Sequence, residues 1–271
     1  MPWYIEPLNS KQLVFYNSVG GTNCDELQPE IAKSLLNVIE DSCFFTVRDN
    51  KTRLSLQKLG CKKKISVLPD TAIIMERLFS INELNDLASA ETTNILKELD
   101  QYYIVQVNED VGEKYYKILA KAIHYIYKKT HIKCILLPIG RAALHSDQIY
   151  LAKINSRTKD ESVLVKNNTI FDTMLLIANA RCFMGTSLHG LITASSFHVP
   201  HTAISKNVPK VISFLKTWNT TQTLCVLSYD ELLDFFYNNE SLSYENINNI
   251  ETAKDRVDLY FKQMFSMIVQ E

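Results

Sequence analysis

The chain of 271 residues has no long apolar run. Its longest, such as Cys134 to Ile139 and Met174 to Ala178, fall far short of the ~20 residues a membrane-spanning helix needs. Nor is there an excess of charge of one sign: 29 Lys plus Arg stand against 30 Asp plus Glu. Without a broad positive field, neither nucleic acid nor an anionic membrane surface is an expected partner, and any anionic ligand must be held locally. The six cysteines (Cys24, Cys43, Cys61, Cys134, Cys182, Cys225) include no CxxC pair, which argues against a metal site. They lie in or beside apolar segments, where free Cys behaves as a small hydrophobe. The opening Met1-Pro2-Trp3-Tyr4-Ile5-Glu6 lacks a basic leader and an apolar h-region, so it does not read as a signal peptide. The expectation is a cytoplasmic chain with reduced thiols. No internal repeat or low-complexity segment is visible.

What is there resembles an ordinary globular protein, with 46% apolar and 22% charged residues and length for about two domains. Short β-rich runs are predicted at Leu13 to Tyr16, Phe44 to Val47, Ile65 to Leu68, Tyr103 to Val107, Ile132 to Pro138, Cys182 to Met184, Thr202 to Ile204 and Leu224 to Val226. Helical spacing fills the gaps, at Leu27 to Ile39, Lys51 to Leu59, Lys114 to Lys128, Ile170 to Ala180, Leu188 to Phe197, Val208 to Trp218 and Tyr229 to Tyr237. Such alternation predicts an α/β fold with parallel sheets covered on both faces. Asp70 to Asp100 breaks the rhythm, with two helix-like pieces and no strand. The predicted organisation is two Rossmann-like domains facing a cleft: residues 1–80, a helical linker over 81–100, then 101–245. An amphipathic helix over Asn249 to Val269 closes the fold, within a terminal segment 246–271.

In open α/β sheets ligands sit beyond the carboxyl ends of the strands. The turn after Cys182-Phe183-Met184 runs Gly185-Thr186-Ser187-Leu188-His189-Gly190 into a helix. Gly185 permits a tight turn and Thr186 or Ser187 can cap. The first N–H groups of the helix, around Leu188, then offer an anion site, and His189 in the first turn could donate a proton there. The same residues also suit plain capping. A second turn, after Ile132 to Pro138, brings Arg141, His145 and Asp147, with Arg141 a planar fork for carboxylate or phosphate. It reads equally as a loop with a solvated Arg and a helix cap. Arg48-Asp49, after the Phe44 to Val47 strand, is a third candidate that faces the cleft or merely caps the helix near Lys51.

The run Met184-Gly185-Thr186-Ser187-Leu188-His189-Gly190-Leu191-Ile192 to Val199-Pro200, then Pro209-Lys210-Val211 and Phe214-Leu215, resembles the C-terminal signature of polysaccharide pyruvyl transferases. Phe45-Thr46-Val47-Arg48-Asp49 to Leu59-Gly60, then Val67-Leu68-Pro69-Asp70, is similar to the same family's earlier pattern, with Val14 to Gly20 ahead of it. The resemblance implies a GT-B-like fold with an N-terminal domain that is only partial, since family members carry a further strand and helix series before the part equivalent to Leu13. It implies transfer of pyruvate from phosphoenolpyruvate to a saccharide acceptor as a ketal, in assembly of a bacterial exopolysaccharide on an acceptor that is free or lipid-linked. Phosphoenolpyruvate is the donor substrate, and no cofactor, metal or nucleotide is required. His189 would be the catalytic acid, with Gly185, Thr186, Ser187, Leu188, Arg141, His145 and Arg48 binding substrate. Where members show Arg-Leu-His this chain has Ser187-Leu188-His189, so Arg141 or Arg181 would supply the guanidinium, although Arg181 precedes the strand and should point away. The alternatives are a nucleotide-sugar glycosyltransferase on the same fold and a non-catalytic relative.

Overall fold

The computed structural model describes residues 13–21, 23–108, 112–140, 146–204, 208–218, 229–238 and 242–269, with side chains from 115 onward in the helix that begins at 112. Two parallel sheets organise them. The first joins β1 (Phe15–Val19), β2 (Phe44–Val47) and β3 (Ser66–Val67) in that order. The second joins β4 (Tyr102–Gln106), β5 (Lys133–Leu136), β6 (Ser162–Leu164), β7 (Phe183–Gly185) and β8 (His201–Ala203) in the order β6-β5-β4-β7-β8. Successive strands step outward from β4 to one side, then the chain crosses back and builds β7 and β8 on the other. The carboxyl ends of β4 and β7 therefore flank the point where winding reverses, which is where a crevice opens in such sheets.

The helices are α1 (Pro29–Asp41), α2 (Asn50–Lys58), α3 (Met75–Leu78), α4 (Ile81–Leu87), α5 (Ala90–Glu98), α6 (Gly112–Thr130), α7 (Asp147–Asn155), α8 (Ile170–Ala178), α9 (Leu188–Ser196), α10 (Pro209–Trp218), α11 (Tyr229–Asn238) and α12 (Tyr244–Val269). Every residue of β4 is buried, because helices cover both faces of its sheet. Tyr103 and Val105 point into a core with Leu119 and Ile123 of α6, Leu151 of α7 and Phe235 of α11. Tyr102 and Ile104 point the other way, among Leu176 of α8, Leu191 of α9 and Ile250 of α12. The irregular stretch between the sheets is a 3-10 turn, Thr71–Ile74, followed by α3, α4 and α5. Ser80 and Ser89 cap α4 and α5 with their hydroxyls, which is why this segment breaks into short pieces. Both helices pack against α8.

The last helices return to the first sheet. Ser213 and Thr217 of α10 bond to Asp49 Oδ1 (2.8 Å) and the Asn50 N–H (3.1 Å), and Trp218 Nε1 donates to the Arg48 carbonyl at 2.9 Å. Tyr260 of α12 sets its ring edge on Phe44 of β2. Lys254, fully buried, bridges Glu76 at 3.0 Å and Glu251 at 2.9 Å. Arg77 of α3 forks onto Glu251, Asp255 and Asp258 of α12. Buried ions left unpaired would cost several kcal/mol, so this network holds α12 to the connection between the sheets.

Several sequence expectations shift. The first strand runs Phe15–Val19, later than Leu13 to Tyr16, with a register break and Ser18 at φ 51°. The Ser18 N–H and hydroxyl bond to Thr46 Oγ1 (2.8 Å) and the Pro69 carbonyl (2.7 Å), which offsets that left-handed conformation. β6 was not expected from the sequence, and the helix expected after an Asp147 cap is α7, which takes Asp147 as its first residue. The terminal helix begins at Tyr244, not Asn249, because Ser243 caps it by accepting from the Asn246 N–H. The predicted strand Leu224 to Val226, with Cys225, lies outside the described residues. Among the described residues no helix is long and apolar enough to cross a membrane.

His201 of β8 is 1% exposed, with Nδ1 2.7 Å from the Val199 carbonyl and Nε2 2.9 Å from Ser195 Oγ. Burial pushes its imidazole down from the ordinary 6.5 to about 4. Between those values the unfolded chain binds a proton that the folded chain refuses, so the contribution of His201 to stability is complete above 6.5 and is lost as pH falls toward 4. Urea unfolding across that window should show stability falling with pH, with a shallower slope in His201→Gln.

Candidate active site

The turn after β7 is shaped by one aromatic ring. Phe183 is fully buried. A Cβ on Gly185 would lie 2.7 Å from its ring, and one on Gly190 would lie 2.5 Å from the ring and 2.8 Å from Ile139 Cδ1. Neither glycine has a positive φ. Gly185 is therefore required for close approach, not for the tight turn expected of it. The glycine spacing lets α9 settle onto its own strand.

Gln106, the last residue of β4, is 2% exposed and fastens this turn to its neighbours. Its Oε1 accepts from the N–H groups of Thr186 (2.9 Å) and Ser187 (2.7 Å). Its Nε2 donates to Asp147 Oδ2 at 2.8 Å, and that oxygen also accepts from the N–H groups of Ile139 (2.9 Å) and Gly140 (2.7 Å). Asp147 is thus a buried organiser of the turn after β5. Of the N–H groups before and within the first turn of α9, the structure pairs Thr186 and Ser187 with Gln106, and Gly190 with the capping Ser187 hydroxyl (3.3 Å). Among the described residues the N–H groups of Leu188 and His189 have no acceptor, so the available anion donors begin later than the whole turn. The Leu188 side chain is buried in the core and cannot touch a ligand. Thr186, 3% exposed, bonds to Gln106 and Asn108.

The first sheet contributes the charges. Arg48 follows β2 and its guanidinium lies over Gly20, where a Cβ would be 2.4 Å from Nη2. Arg48 Nη1 donates to Asp70 Oδ2 at 3.3 Å, and the same oxygen lies 3.7 Å from His189 Nε2 across the cleft. Asp70 is held in place by accepting from the Ala72 N–H. Arg48 Nε is buried without a partner, which leaves the guanidinium with unused donor capacity. Asp49 does cap α2, accepting from Thr52 N at 2.8 Å, and is fully buried. His189 is 64% exposed and lines a cavity of about 440 Å3 with Met75, Asn168, Ile170, Thr173 and Met174 among its walls.

Of the predicted residues, Gly185, Ser187, His189 and Arg48 gather at this cleft. Arg141 and His145 lie outside the described residues. Arg181 stacks on the Phe236 ring of α11, 4.9 Å from its centroid, and so points away as expected. Sequence reasoning missed Gln106, although one polar residue closing the apolar run Tyr102-Tyr103-Ile104-Val105 was a signal. Among the described residues no cluster of three or more His, Cys, Asp or Glu could hold a metal.

A family model described as polysaccharide pyruvyl transferase matches residues 4–207. The chain belongs to the polysaccharide pyruvyl transferase family. Solved structures with the same fold include UDP-GlcNAc 2-epimerase from Methanocaldococcus jannaschii in complex with UDP-GlcNAc and UDP, 13% identical with TM-score 0.59 over 84% of this chain and 62% of that one. The Neisseria meningitidis UDP-GlcNAc 2-epimerase bound to UDP-GlcNAc is 13% identical with TM-score 0.60, over 94% and 69%. A UDP-forming trehalose-phosphate synthase from Burkholderia xenovorans is 8% identical with TM-score 0.53, over 85% and 62%. The chain thus spans less than two thirds of that M. jannaschii structure. These likenesses establish the fold as Rossmann-like and GT-B-like. No curated protein matches the sequence.

Packing makes this pyruvyl transferase family member sensitive to its glycines in different ways. Gly185→Ala and Gly190→Ala force a methyl into the Phe183 ring and should each cost about 1–3 kcal/mol in chemical denaturation. Gly20→Ala meets only the movable end of Arg48, so it should leave stability nearly unchanged while displacing the guanidinium.

Proposed function

We propose that this chain transfers pyruvate from phosphoenolpyruvate to two hydroxyls of a saccharide, forming a cyclic ketal and releasing phosphate, in the assembly of a bacterial exopolysaccharide in the cytoplasm. The observation that carries the reading is the Arg48–Asp70–His189 cluster, in which a guanidinium from one domain and an imidazole from the other converge on one carboxylate. Phosphoenolpyruvate needs cationic and N–H donors for its phosphate and carboxylate and an acid for its enol carbon. Arg48, the Leu188 and His189 N–H groups and the His189 side chain supply those types of group. Arg48 takes the part of the guanidinium that this chain lacks at Ser187.

The reaction balances in four moves. His189 gives a proton to the methylene carbon, and C2 becomes electron-poor. A sugar hydroxyl adds to C2 and its proton returns to the imidazole. The C2–O bond to phosphate then breaks, phosphate taking the electron pair. A second hydroxyl adds to C2 to close the ketal, and its proton passes to the released phosphate. Donors fixed around the developing charge lower the barrier. Asp70 steadies the imidazolium that forms when the acceptor proton returns.

A second reading, a nucleotide-sugar glycosyltransferase, is favoured by the UDP-GlcNAc in the M. jannaschii and N. meningitidis epimerases that share the fold. Thermal unfolding separates the two, because a ligand that binds only the folded state raises Tm. Phosphoenolpyruvate should raise Tm and UDP should not; the reverse result would favour the second reading. The shift should vanish in Arg48→Ala and Gly20→Ala. Turnover of phosphoenolpyruvate to phosphate in the presence of saccharides should be lost in His189→Ala, and persistence of that activity would remove His189 from its role.

A further inference from the structure

We propose that the cavity of about 440 Å3 beside α9 is the acceptor subsite and takes an uncharged sugar ring, with the anionic donor on the other side of His189, against Arg48. The assignment rests on the pyruvyl-transfer reading above. The volume falls in the range of about 300–1,000 Å3 common to small-molecule sites. A pyranose has a face of C–H groups and a rim of hydroxyls, and the cavity offers a partner for each: Met75, Ile170 and Met174 supply apolar surface, while Asn168 and Thr173 supply polar groups. The Asn168 amide is already oriented, donating to the Pro138 carbonyl at 2.9 Å and to Thr173 Oγ1 at 2.7 Å. Ile170 is 63% exposed at the first position of α8, and a sugar face resting on it accounts for a large apolar side chain left in solvent.

Charge separates the two subsites. Among the described residues that line the cavity none is Lys, Arg, Asp or Glu, so the fixed charges lie outside it and a phosphorylated or acidic sugar entering it would lose solvation with His189, shared with the donor side, as its one ionisable neighbour among those residues. The guanidinium lies elsewhere, on the Asp70 side of the imidazole. His189 lines the cavity and also approaches Asp70, so it reaches both compartments. That position suits a group that protonates the donor and recovers its proton from the acceptor hydroxyl.

Saturation-transfer NMR on the full chain tests this with methyl glycosides of glucose, galactose and mannose, and with glucuronic acid and UDP as contrasts. At least one neutral glycoside should receive transfer, and its affinity should fall about tenfold in Ile170→Trp, which fills the mouth from an exposed position, and little in Ile170→Val. The Tm shift with phosphoenolpyruvate should be unchanged in Ile170→Trp. No transfer to any neutral glycoside, glycoside binding indifferent to Ile170→Trp, or stronger binding of glucuronic acid or UDP lost in Ile170→Trp would each overturn the assignment. Failure of the pyruvyl-transfer reading shows separately, as the absence of a phosphoenolpyruvate shift in the unaltered chain.

Discussion

Gln106 joins the parts of the site that sequence keeps far apart. A primary amide is the right group for its position, since one end must accept from the turn after β7 and the other must donate to Asp147. Glutamate could not donate and leucine could do neither. Because Gln106 sits at the carboxyl end of β4, where winding reverses, its two ends reach the turns on either side of the sheet's midline. Inside a buried environment such a network must be fully satisfied or it destabilises, so it also fixes the direction in which α9 starts. Phe183 completes the constraint by requiring glycine at 185 and 190.

With α9 so fixed, His189 projects toward the first sheet, where Asp70 and Arg48 wait. Nothing in the second sheet alone would place a charge opposite it. The first sheet is held in position by α10 and α12, through Asp49 with Ser213, Trp218 with the Arg48 carbonyl, and the buried Lys254 with its carboxylates. The cleft geometry therefore depends on helices from the end of the chain. Asp70 is the carboxylate that both the guanidinium and the imidazole face, so it sets their positions relative to each other.

Much of the fold was legible because parallel strands buried on both faces are apolar throughout. Phe44 to Val47 is the clearest case, matching the strand residue for residue. The strand Ser162–Leu164 was not legible: three residues carry too little pattern, and it exists because Cys134 to Leu136 offers an edge for pairing. The connection from Asp70 to Asp100 was seen as helical but not as three short helices, two of them capped by serine, since Ser80 and Ser89 reveal their role only through their bonds. In the site, Gly185, Ser187 and His189 could be found from the turn they form. Leu188 stood beside them in sequence yet faces the core, because neighbours on a helix point in different directions.

By itself the sequence determined the class of fold, the family, and which turn carries the histidine, because these follow from periodicity and from local spacing along one chain segment. Tertiary structure alone decided which charges meet. Arg48, Asp70 and His189 are spread over more than half the chain, and their convergence depends on two sheets facing each other. The same holds for Gln106: its two ends act at once on residues about 40 and 80 positions away, and no pattern local to β4 encodes partners so distant, since hydrogen bonding of this reach is set by strand order and not by spacing.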